Sequence, residues 1–156
     1  MTVSPVSPAA AGAASRELFR ARAALAEATE TTDHLIRYSS AHIAALRVAA
    51  AVLAVRARPV SGSRRKVQRN AWVLLAQVAP EFGEWATFFA AGAAQRAAAE
   101  AGLERAVSTR EADDLIRAVD TFYTQVEASL RLSTSPVLTA TTDPQSVLTQ
   151  SWMQAS

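Results

Sequence analysis

Residues 108–130 read STREADDLIRAVDTFYTQVEASL, and this stretch decides the fold class. Ser108 followed three residues later by Glu111 forms a capping box, in which a serine hydroxyl takes a free N–H of the first helical turn. Behind it Leu115, Val119, Phe122, Val126 and Leu130 recur at spacings of four, three, four and four, the period of one helical face. The pattern predicts an amphipathic helix, and no strand-like alternation of apolar and polar residues competes with it elsewhere.

Working upstream, Gly102 is placed to close a fourth helix over 80–101, with Pro80 at its first position. That helix presents Phe82, Trp85, Phe88 and Phe89, and small residues at Ala86, Ala90, Ala93, Ala94 and Ala97. A third helix is expected over 65–79, anchored by Trp72, Leu75 and Val78. Pro59-Val60-Ser61-Gly62-Ser63 reads as a turn. Before it a long second helix over 33–58, capped by Thr31 or Thr32, carries a core stripe of Leu35, His42, Leu46, Ala49 and Leu53. A first helix over 15–29 places Leu18 and Leu25 on one face. Residues 1–14 read as a flexible leader and 133–156, with the isolated Trp152, as a disordered tail. Five helices with short connections over 15–132 predict an all-α, antiparallel helical bundle.

Composition agrees. The chain holds 36 alanines among 156 residues, and alanine is the best helix former. Fifteen arginines against the single Lys66 suggest a high-GC genome. With no cysteine, disulfides, Cys-based zinc sites and thiol nucleophiles are excluded, and a cytoplasmic location is expected. No secretory signal is evident at the start, and the apolar run 48–55 is too short to span a membrane, so no membrane association is expected. The charge is unevenly spread. No acid lies between Asp33 and Glu81, while Arg37, Arg47, Arg56, Arg58, Arg64, Arg65, Lys66 and Arg69 do. Such a basic middle suits a polyanion or an acidic protein surface, and equally a solvated loop with arginine stems.

Polar chemistry concentrates in the second helix. His34, Tyr38 and His42, at i, i+4 and i+8, form one slowly drifting stripe, with Arg37 beside it. The two histidines lie roughly 12 Å apart along the axis, too far to share an ion, and no acidic pair completes a metal set. No nucleophilic triad and no glycine-rich phosphate loop is present, so neither a metal nor another cofactor is expected. His42 has two readings: a proton carrier, or a core histidine bonded to a neighbouring carbonyl or hydroxyl. Tyr38 reads as a binding residue or a core aromatic, and Arg37 has Asp33 within one turn.

The run RYSSAHIAALRVAAAVLAVRA, with its aromatic-x-x-x-His step leading into alanine-rich sequence, resembles the signature helix of HEPN domains. READDLIRAVDTFYTQVEASL is similar to their acidic-started last core helix, and with RNAWVLLAQVAPEFGEWATFFAAGAAQRAAAEAG the pattern resembles a small HEPN family common in actinobacteria. The resemblance implies a helical bundle that often forms homodimers. It also implies that an Arg-x4-His motif can serve a metal-independent endoribonuclease of toxin or defence type. In that mechanism His42 would move a proton at a ribose hydroxyl while Arg37 stabilises phosphate charge. Here the motif sits in the second helix rather than a late one, with Tyr38 following the arginine.

Three functions follow. The first is a non-catalytic module binding RNA, a nucleotide or a protein, with His34, Tyr38, Arg64, Arg65, Lys66 and Arg69 as binding residues. The second is an endoribonuclease using Arg37 and His42, which could be paired with a nucleotidyltransferase-type antitoxin. The third is a structural or regulatory helical protein whose basic segment meets an acidic partner.

Overall fold

The computed structural model describes residues 5–57 and 70–134. Among these are six α-helices and no strand: α1 (Pro8–Glu30), α2 (His34–Arg56), α3 (Ala71–Val78), α4 (Gly83–Ala91), α5 (Ala93–Glu100) and α6 (Thr109–Thr134). A single 3₁₀ turn, Pro80–Phe82, leads into α4.

Helix α1 starts seven residues before the expected position, so 8–14 of the expected leader are helical. The Ser7 hydroxyl accepts the Ala10 N–H at 3.1 Å and Pro8 occupies the first helical position, where its missing N–H costs nothing. From there Ala14, Leu18, Ala21, Leu25 and Ala28 alternate by four and three along one seam, and the three alanines are buried. Methyl-sized side chains let α1 lie close to α2, whose buried positions include the equally small Ala41, Ala44, Ala45 and Ala51. The cap of α2 is Asp33 rather than a threonine. Its carboxylate accepts from Leu35 and Ile36, and Thr31 supports it by accepting the Asp33 N–H. A carboxylate at a helix N-terminus also meets the positive end of the dipole.

Contacts fix the helix directions. Glu17 pairs with Arg47 and the Ala28 carbonyl with Arg37, so α1 and α2 are antiparallel. His42 meets Phe89 and Tyr38 meets Gln95, so the α4–α5 arm runs back along α2. Trp85 meets Gln125 and Gln95 meets Glu111, so α6 reverses again and lies parallel to α2. The result is an up-down-up-down bundle with α2 in contact with every other arm and α3 packed against α2 and α4. All five apolar anchors read from α6 are buried, and Phe122 joins Phe82, Trp85 and Phe89 in a continuous aromatic core.

The expected fourth helix is broken at Gly92 into α4 and α5. A Cβ on Gly92 would lie 2.9 Å from the Tyr38 hydroxyl, so the close approach of α2 requires a glycine there. Gly102, with φ of +79°, ends α5 as expected, and its N–H returns to Ala99. The third helix is seen from Ala71 onward; the earlier part of its expected span, 65–69, lies outside the described residues.

Helix α2 is also longer as an apolar unit than the 48–55 run suggested. Over 23 residues, with a best-window mean hydropathy of 1.5, it is long and apolar enough to cross a membrane by length and composition alone. More than half of that window, 56%, is buried inside the bundle, as expected for a core helix.

Candidate functional site around the polar stripe of α2

The drifting stripe read from the sequence is present, and each member reaches a different level of the returning arm. His34 Nε2 lies 3.0 Å from the Glu104 carbonyl, in the connection from α5 to α6. Tyr38 donates its hydroxyl to Gln95 Oε1 on α5 at 3.1 Å. His42 Nε2 lies 3.1 Å from the Phe89 carbonyl at the end of α4. As position rises along α2, the partner falls along the arm, so the three side chains fasten two antiparallel elements rung by rung. They do not converge on one point.

His42 is enclosed, with 1% of its surface exposed. Trp72 and Phe89 stand edge-on to its ring at 6.3 and 6.4 Å between centroids. A carbonyl can only accept, so the proton sits on Nε2, and Nδ1 is a buried acceptor without a hydrogen-bond partner. Burial holds the imidazole pKa below its ordinary value, outweighing the Phe89 carbonyl, which favours the charged form. The break at Gly92 explains the demand for this contact. Phe89 O accepts a tight-turn bond from Gly92 N–H, and the imidazole supplies its second donor.

Arg37 points elsewhere. Its guanidinium donates to the carbonyls of Ala28, Thr29 and Thr31, at 3.1, 3.4 and 3.2 Å, and pairs with Asp113 of α6. It therefore caps the C-terminal end of α1, where carbonyls lack helical partners, and ties that end to α6. Asp33, within reach by sequence, is occupied as the α2 cap. Arg37 and His42 thus serve opposite sides of α2, one toward α1 and α6 and the other toward α3 and α4.

Tyr38 lies at an open cleft of about 220 Å³ lined by Phe88, Gln95, Glu111, Asp114 and Leu115. Gln95 relays the contact, accepting from Tyr38 and donating to Glu111 at 3.3 Å. Burial, and then the Glu111 charge, push the Tyr38 pKa up. With two carboxylates on its rim this cleft suits a hydrogen-bond donor or a cation better than a phosphate. Sequence reading missed Gln95, Asp113 and Gly92; only the isolated glycine inside a helical pattern was a usable signal. Phe88, one of the four aromatic residues read on the expected fourth helix, is 51% exposed at this cleft.

Arg64, Arg65, Lys66 and Arg69 lie outside the described residues. Among the described residues no group of three or more His, Asp or Glu could hold a metal ion.

No curated protein and no solved structure matches the chain. The family model described as SAV_6107-like HEPN matches residues 28–127, which takes in α2 through most of α6 and the whole polar stripe. The chain belongs to this HEPN family.

Proposed function

We propose that this protein is a non-catalytic HEPN module of the cytoplasm that binds RNA, with the basic run Arg58, Arg64, Arg65, Lys66 and Arg69 as its electrostatic contact. The observation that carries the non-catalytic part is the employment of the Arg-x4-His pair. His42 is enclosed by aromatic rings and bonded to a main-chain carbonyl, and Arg37 is held by three carbonyls and a carboxylate. Cleavage would require both groups to leave these partners and turn toward one phosphate. Charge supports the RNA part. The described residues contain 11 basic and 13 acidic side chains, so the basic excess of the chain resides in 58–69.

The test is a labelled single-stranded RNA incubated with the protein in EDTA, read for both retention and cleavage. Retention without cleavage is expected, weakening steeply with salt and lost when Arg64, Arg65 and Lys66 are all changed to alanine. Cleavage by the wild type that disappears in His42→Ala would overturn the non-catalytic reading and install the ribonuclease. Indifference to RNA would overturn the RNA reading and leave a protein partner.

A further inference from the structure

Helix α2 is packed on most of its circumference, yet one stripe of it is left to solvent and is apolar. Ile36 and Ile43 are 44% and 37% exposed, and Leu46, Ala50 and Leu53 are half-buried beside them. With Ser39 these positions advance by three and four, the spacing with which a helix presents a seam to another helix. From Ile36 to Leu53 the seam is about 25 Å long, enough to seat roughly five turns of a partner. On α3, which packs against α2, Val73 is 49% exposed. On the α1 flank, beside the middle of the seam, Glu17 is shared, pairing with Arg20 at 3.2 Å and Arg47 at 3.3 Å. Helix α2 brings no carboxylate of its own, and its other arginines, Arg37 and Arg56, are taken by Asp113 and Glu81.

We infer that this face of α2 is a docking site for an amphipathic helix of a partner protein, with apolar residues on its seam and carboxylates on its edge. The unoccupied seam sets the helical, apolar part of the partner, because large branched side chains at this spacing gain most by interdigitating with their like. The flank sets the charge. Beside the middle of the seam two arginines share one glutamate, so an incoming carboxylate finds a donor not yet neutralised. The face shares no residue with the run 58–69 assigned to RNA, so either reading can fail without the other.

The experiment uses the full-length chain and a fluorescent 18-residue designed helix, with leucine at the seam positions and glutamate at the flanks, read by anisotropy. A twin peptide carries lysine for glutamate. The glutamate peptide should bind, the lysine peptide should bind at least tenfold more weakly, and Arg47→Glu should reverse that order. Ile43→Arg, a surface change whose fold is checked by circular dichroism, should lose at least tenfold in affinity. Since this variant adds positive charge, simple attraction of the peptide to the basic segment would be strengthened, not lost. No binding of the glutamate peptide, or equal binding by Ile43→Arg, overturns the inference. So does a wild type that sediments as a dimer and becomes a monomer on Ile43→Arg, because the face then belongs to a second copy.

Discussion

The imidazole of His42 and the carbonyl of Phe89 meet at 3.1 Å, three residues before the break at Gly92. An interrupted helix leaves carbonyls without their usual donors, and one of them is answered from a neighbouring helix. The same interruption admits α2 so closely that Tyr38 and His42 both lie against Gly92. One glycine and two ring-bearing side chains therefore form a single joint between α2 and the returning arm.

His42→Ala should destabilise the bundle by about 2–4 kcal/mol in urea unfolding, with RNA retention unchanged. The change leaves a cavity against Trp72 and Phe89 and removes a donor from a buried carbonyl. A stability loss below about 0.5 kcal/mol would contradict the enclosed, bonded state of the ring.

Stability should also fall as the solution is made mildly acidic. The folded-state pKa of His42 lies below the ordinary 6.5, so the unfolded chain takes up a proton that the folded chain refuses. The loss begins as pH drops through 6.5 and continues until the lowered folded-state pKa is passed, with a slope of at most ~1.4 kcal/mol per pH unit. Above pH 7 this group contributes no slope. Urea midpoints between pH 7.5 and 5.5 should decline in the wild type and stay flatter in His42→Phe; equal slopes would assign the effect to other groups.

What was legible in the sequence follows from how local each signal is. The Ser108 cap and the anchors from Leu115 to Leu130 depend on one helix alone: the Ser108 hydroxyl accepts the Glu111 N–H and all five anchors are buried, while the Glu111 carboxylate accepts from Gln95. The stripe of His34, Tyr38 and His42 was legible as a stripe because helical geometry fixes relative direction, but not its partners, which come from an arm more than 45 residues away. The break at Gly92 was obscured by an alanine-rich neighbourhood that favours helix on both sides, with the isolated glycine as its one signal; the approach of Tyr38 explains the need for a glycine there. Arg37 has Asp33 within one turn by sequence, but Asp33 is used as the α2 cap and the guanidinium pairs with Asp113 on α6.

Gly92→Ala sets two effects against each other. Alanine favours helix by about 1 kcal/mol over glycine, but its methyl would stand 2.9 Å from the Tyr38 hydroxyl, in a wall that is itself buried. The clash should win, giving a net loss of about 1–2 kcal/mol and breaking the Tyr38–Gln95 bond. In a Tyr38→Phe background the obstructing oxygen is gone, and the same substitution should become neutral or stabilising. A double-mutant cycle by thermal or urea unfolding measures the difference directly; additive effects would show that the hydroxyl does not enforce the glycine.

Arg37 offers the sharpest separation of structure from chemistry in the motif. Its guanidinium satisfies three carbonyls at the end of α1 and reaches Asp113, so Arg37→Ala should cost about 2–3 kcal/mol by leaving those carbonyls without a side-chain donor. Lysine has one compact donor group and cannot fork across both sets of acceptors, so Arg37→Lys should recover less than half of that loss. Asp113→Asn should cost less than Arg37→Ala, because the carboxylate is 42% exposed and the carbonyl contacts remain. All three variants should retain RNA as the wild type does under conditions where they are folded. If Arg37→Lys keeps full stability yet loses RNA retention, the arginine acts on a phosphate and its place at the end of α1 is incidental.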